Sequence, residues 1–208
     1  MVAYFIHSLI SIFAVMNPLG IMPTFLALTS GYSADEQRHT ARKAVVNSFF
    51  ILLAFLIFGS VILNLFSITI NAFRVAGGIL LFGIAYDLLH AKPSPIQSTE
   101  GEEKKSEQDI SVTPLAIPIV AGPGTITTVM ALAAGPGSII RTSLVVFLAF
   151  VVVLAAAFAI FYYAPWINSR LSESQLNVIT RLMGFLLSII AVQMAANGLG
   201  GLFPGWLR

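Results

Sequence analysis

Asn17-Pro18-Leu19-Gly20 interrupts the first long apolar stretch of this chain near its centre, and Gly122-Pro123-Gly124-Thr125 interrupts the fourth in the same way. Proline lacks a backbone donor and its ring clashes with the preceding turn, so each stretch is expected to form a discontinuous helix. In hydrocarbon, the amides and carbonyls freed by a break need protein, water or a ligand as partners. Paired breaks in corresponding halves of a membrane protein are the best sequence pointer to the substrate site of a secondary transporter.

Composition sets the class. Of 208 residues 57% are hydrophobic and only 10% charged, and the mean hydropathy is +0.91, which describes an integral membrane protein. A soluble chain carries about 25% charged residues. The net charge of +2 gives no reason to expect a nucleic-acid partner. With no cysteine there is no disulfide, thiolate nucleophile or sulfur metal ligand, and no cofactor or metal is expected. Met1 to Ser8 contain no Lys or Arg, so the first apolar segment reads as retained rather than as a cleaved signal.

Six membrane spans are expected, at 3–29, 42–66, 71–90, 113–134, 139–163 and 176–199. Ser33 with Glu36, and Ser172 with Gln175, are capping-box pairs that should start the second and sixth helices. Lys92 to Ser111, rich in Glu, Lys, Ser, Pro and Gln, reads as a solvated linker, and its charge run Glu100 to Lys105 as plain solvated chain. Lys and Arg concentrate in the odd-numbered connections: Arg38, Arg42 and Lys43, then Lys92, Lys104 and Lys105, then Arg170. The second connection has none and the fourth only Arg141. Odd connections are therefore expected in the cytoplasm and both termini outside.

The chain reads as one transmembrane domain of two alike blocks, repeat one at 1–90 and repeat two at 113–208, joined by a cytoplasmic linker at 91–112. Pro18 and Pro123 open the resemblance between the blocks, and Arg74-Val75-Ala76-Gly77 and Arg181-Leu182-Met183-Gly184 begin their third helices. Three spans is an odd number, so the second copy must insert upside down, the inverted topology of many alternating-access transporters. The fold class expected is all-α and polytopic, with six helices in two inverted three-helix repeats and discontinuous first and fourth helices.

The breaks suggest chemistry. Asn17 can cap a half-helix whose first residue is Pro18, and Gly122 with Pro123 allows the same geometry with the Thr125 hydroxyl nearby. Half-helix N-termini present free N–H groups and partial positive charge, which suits a carboxylate, while unwound carbonyls suit an ammonium. The ligand so described is a small zwitterion, held by Asn17, Pro18, Leu19, Gly20, Gly122, Pro123, Gly124 and Thr125. Among other polar residues at depth, Asn47 is the chosen additional lining residue. Ser48, Thr24, Thr127 and Thr128 either line the cavity or bond back to their own helices. Arg74 and Arg181 either snorkel to headgroups or act as symmetry-related gates, and Asp87 is the sole acid inside an expected span and a candidate for coupling. His7 reads as incidental. The second and fifth spans, apolar almost all round, are expected to face lipid. Gly184, Ser188, Ala191 and Ala195 in the sixth, and Ala72, Ala76 and Gly83 in the third, form small-residue stripes for close packing.

With Asn-Pro-Leu-Gly near the start, Ala-Gly-Pro-Gly-Thr at Ala121 to Thr125, the two Arg-x-x-Gly openings and its overall length, the chain resembles the MarC family of bacterial inner-membrane proteins, which includes the SnatA-type small neutral amino-acid transporters. That resemblance implies six spans, residence in the inner membrane and transport of amino acids such as glycine or alanine, with protons or sodium as the coupling ion left open. It does not fix substrate or direction. A passive channel, an exporter of another solute or a membrane assembly factor is the alternative. No H-E-x-x-H, G-x-S-x-G, paired carboxylates or P-loop is present, so an enzyme and intrinsic ATP drive are not expected.

Overall fold

A computed structural model describes residues 1–90 and 120–205, and among them every element is helical. The elements are α1 (Val2–Met16), α2 (Pro18–Leu28), α3 (Ala34–Leu65), α4 (Ile70–Leu89), α5 (Pro123–Ala133), α6 (Ile139–Arg170) and α7 (Glu173–Leu202). Five stretches are long and apolar enough to cross a membrane: Val2–Leu28, taken across its break, α3, α4, α6 and most of α7. The shorter α5 is the half of the fourth span that follows its break. The half before it, at 113–119, and the linker at 91–112 fall largely or wholly outside the described residues.

Both capping boxes form. Ser33 Oγ accepts from the Glu36 N–H at 3.3 Å while Glu36 Oε2 accepts from the Ser33 N–H at 2.7 Å, and Ser172 and Gln175 reproduce the pair at the start of α7. These caps begin α3 eight residues before the expected span. At 32 residues each, α3 and α6 are about 48 Å long, well beyond a hydrocarbon core of about 30 Å. Their surplus lies at one side. The Arg38 guanidinium, early in α3, sits 4.7 Å from the Tyr162 ring, late in α6.

The repeat is visible in lengths and directions. Helices α2 and α5 have 11 residues each and α3 and α6 have 32 each, and both pairs begin 105 positions apart. Corresponding helices run antiparallel, as an inverted repeat requires. Arg38 meets Tyr162, whereas Phe49, farther along α3, meets Phe147 and Phe150, earlier in α6. In the third pair, Gly198 of α7 lies against Asn71 and Val75 of α4, Ala191 and Ala195 against Gly78, and Gly184 against Ala85 and Leu88. The Tyr4 hydroxyl donates to the Leu132 carbonyl at one end of α5 while Val15 lies against Gly124 at the other, so α1 opposes α5. Contacts obey the same correspondence: α2 packs on α7 as α5 packs on α4, and α2 on α6 as α5 on α3.

Two packing units result. One core joins α1, α2, α3, α5 and α6 around Ile12, Met16, Phe25, Leu52, Val129, Phe150 and Phe161, with the Phe25 and Phe161 rings stacked at 5.1 Å. The other centres on α4 and α7, whose contact is the most extensive among the described elements, and joins Leu81, Ile84, Ala85, Leu88, Leu187 and Ala191 to Val15 of α1.

Two expectations change. The fifth span, α6, is not peripheral: Val146, Ala149, Phe150, Val153, Ala157 and Phe161 are buried against four other helices, while Ile140, Leu144, Leu148 and Val152 face outward. A helix between a protein core and lipid is apolar all round, so periodicity cannot separate its two faces. The small-residue stripe of α4 is also shifted. Gly77 and Gly78 make the close approach, whereas Ala76 is exposed. A Cβ on Gly78 would stand 2.7 Å from the Ala191 carbonyl and one on Gly77 would stand 2.6 Å from Thr127 Oγ1. On the exposed face of α7, Gln193 donates to Asn197 at 2.8 Å.

Candidate substrate site between the broken helices

Asn17 makes the first break. Its backbone is left-handed (φ 49°, ψ 52°), a conformation that Asn tolerates better than most residues, and this turns the chain out of α1. Its N–H closes α1 on the Phe13 carbonyl at 2.9 Å, and its own carbonyl accepts from Ile21 in α2 at 3.1 Å. Oδ1 caps α2 by accepting from the Gly20 N–H at 3.3 Å. A Cβ on Gly20 would fall 2.4 Å from Asn17 Nδ2, so a larger residue here would displace the capping side chain. That Nδ2 has no hydrogen-bond partner among the described residues, although Asn17 is only 4% exposed. An orphaned buried donor is costly and rare enough to require a reason.

The second break is built differently. Gly122 is extended (φ −69°, ψ 169°) and caps α5 with no side chain, so nothing from the cap competes for the Gly124 and Thr125 amides. The expectation of one geometry at both breaks therefore holds for the Pro at the first helical position but not for the cap. Thr127 and Thr128 bond back to the carbonyls of Pro123 and Gly124, at 2.7 and 2.8 Å, and Ser48 bonds back to Ala44 at 2.8 Å. Gly124 lets α5 approach the other helices, because a Cβ would stand 2.8 Å from Leu81 Cδ1 and 3.2 Å from Val15 Cγ1.

A cavity of about 20 Å³ lies where the breaks meet, lined by Asn17, Gly122, Gly124 and Thr125 on one side and by Leu81, Ile84, Leu88 and Leu187 on the other. It sits on the seam between the two packing units. Its polar wall is the breaks and its apolar wall is the α4–α7 pair. The volume accommodates a water-sized molecule.

Of the other residues singled out from the sequence, Pro18 and Gly20 are buried, Leu19 is half-buried and Pro123 is the first residue of α5, and none of the four lines the cavity. Asn47 is half-buried on α3 and does not line the cavity. Arg74, held 3.2 Å from Asn71 Oδ1, and the exposed Arg181 stand near the starts of α4 and α7, at opposite ends of that antiparallel pair and away from the cavity. Asp87 is half-buried near the end of α4, one residue before the cavity-lining Leu88. The residues that sequence reasoning missed are the apolar wall. Leu81 and Leu187 lie on the third helix of each repeat, and only the antiparallel packing of those helices brings them together.

The profile described as MarC family integral membrane protein matches residues 2–203. The UPF0056 membrane protein YvbG of Bacillus subtilis is 53% identical, over 98% of both chains. MJ1677 of Methanocaldococcus jannaschii is 38% identical, over 95% of this chain and 97% of its own, and YhcE of Escherichia coli is 36% identical, over 96% and 93%; both carry the same UPF0056 description. No solved structure matches the chain.

Proposed function

Because the chain belongs to the MarC family of integral membrane proteins, we propose that it is a secondary transporter of small neutral amino acids, working by alternating access in the cytoplasmic membrane of a bacterium. The observation that carries this reading is the unpartnered Asn17 Nδ2, buried beside the N-termini of two half-helices. Nδ2 and the first-turn amides of α5 form a donor set for one carboxylate, favoured by the positive ends of both helix dipoles. Among the described residues no charged side chain lines that cavity, so a ligand bringing its own opposite charge, as a zwitterion does, enters without leaving a net charge buried.

The small cavity supports two further points. An amino acid needs more room than a water, so binding requires the α4–α7 wall to withdraw from the breaks. A wall of Leu81, Ile84, Leu88 and Leu187 leaves little space beyond the ligand backbone, which favours a side chain of hydrogen or methyl. A wide water-filled channel would not be closed by such a wall.

Uptake of radiolabelled glycine and alanine into proteoliposomes, with and without a proton or sodium gradient, tests the reading. Saturable, gradient-driven uptake is expected, and it should be absent in Gly124→Leu, whose side chain would occupy the cavity. Folded protein that takes up neither amino acid under any gradient would overturn the proposal.

A further inference from the structure

A second cavity, of about 420 Å³, opens on the outer surface of the bundle along the α3–α6 contact. Its walls are apolar: Val46 and Phe50 from α3, with Val151, Ala155 and Phe158 from α6. Val46 is 43% and Phe50 61% exposed, so the groove faces the bilayer. One residue of its lining differs in kind. Arg42 stands at the end nearest the start of α3, and its guanidinium has no partner among the described residues.

The neighbouring charges are already engaged. Asp35 holds Arg38 at 3.2 Å, Arg38 also lies over the Tyr162 ring, and Glu36 is bound in the Ser33 capping box. Among the described residues, Arg42 is left without a partner. From Arg42 to Phe50 the groove follows α3 for about 12 Å into the apolar layer. It starts about one helical turn past Arg38, which meets Tyr162, Tyr163 and Trp166, side chains that favour the membrane interface. The repeat isolates the feature further. At the 105-residue offset that relates α3 to α6, the counterpart of Arg42 is Phe147, so the pseudo-symmetric position at the opposite face of the membrane has no charge to offer.

We propose that the α3–α6 groove is a binding site for one anionic phospholipid of the inner leaflet, with its phosphate on Arg42 and an acyl chain along Val46, Phe50 and Ala155. A guanidinium matches a phosphate by paired N–H donors, and a long apolar trough beneath it accepts hydrocarbon. The site lies against α3 and α6, the helices that hold the body against which α4 and α7 would move, so a bound lipid stabilises that body. It stands independently of what the protein transports.

Native mass spectrometry of the purified protein, with dioleoyl-phosphatidylglycerol and dioleoyl-phosphatidylcholine in equal amounts, tests the site. One phosphatidylglycerol should be retained in preference by about fivefold, the discrimination that one basic side chain near a lipid surface confers. Arg42→Gln should abolish the preference, Arg42→Lys should keep most of it, and Arg38→Gln, which alters a residue already paired, should leave it intact. Ala155→Trp, filling the trough, should lower retention of both lipids. Equal retention of the two lipids by the native protein, an unchanged preference in Arg42→Gln, or a groove covered by a second copy of the chain with no lipid bound would each overturn the proposal. If Arg42→Gln does not fold, the Lys and Trp variants decide alone: a preference lost in Arg42→Lys or lipid retention unchanged in Ala155→Trp overturns it.

Discussion

The backbone of Asn17 ends one helix while its side chain begins the next, and its amide nitrogen is left over as a donor for the proposed ligand. Asn is one of few residues that serve all three roles, since it tolerates the left-handed conformation and carries both an acceptor and a donor. Asn17→Gly separates them. Glycine adopts the same backbone and costs only a few tenths of a kcal/mol at a cap, so the melting temperature in detergent should barely move. Loss of a hydrogen bond to a carboxylate should weaken glycine binding about ten- to hundredfold, read as a rise in the uptake KM. A large loss of stability with unchanged KM would make Asn17 a purely structural residue. The chemistry of this position was legible in Asn17-Pro18, because capping is a local property. The unpartnered nitrogen was not, since whether a donor finds an acceptor depends on every helix packed around it.

Helices α4 and α7 hold together through glycines and meet the rest of the molecule through leucines. The first contact is tight because backbones touch: a Cβ on Gly198 would stand 2.7 Å from the Asn71 carbonyl. Gly198→Val should therefore force the pair apart and cost about 1–3 kcal/mol, seen as a lower melting temperature. The second contact, Val15 and Leu81 across Gly124, is where the pair would part during transport. The chain has no cysteine, so Val15→Cys with Leu81→Cys makes a clean pair for a short bifunctional crosslinker. Crosslinking should stop uptake and cleavage of the linker should restore it, whereas undiminished uptake by crosslinked protein would show that this seam does not open. Small-residue stripes on both helices were readable in the sequence. Which stripe faced the partner was not, because Ala76 and Gly77 differ by one position and by about 100° around the helix.

The molecule as a whole is two copies of one three-helix plan packed head to tail. Its charges follow the side on which α3 begins and α6 ends, where Arg38, Arg42, Lys43 and Arg170 gather. That side should be cytoplasmic. In intact cells a membrane-impermeant maleimide should label Asn64→Cys, near the turn between α3 and α4, and spare Ser169→Cys, near the end of α6. The reverse pattern would invert the orientation and move both termini inside. Spans, caps, breaks and the two-fold plan were determined by local chemistry: hydropathy over about 20 residues, Ser with Glu or Gln three positions on, Pro after Asn or Gly, and an odd number of helices per repeat. The burial of α6, the placement of Asn47 away from the cavity, and the leucine wall facing the breaks were decided by tertiary structure. In a membrane protein, lipid and protein interior are equally apolar, so a sequence can state which residues leave water but only packing states which of them meet one another.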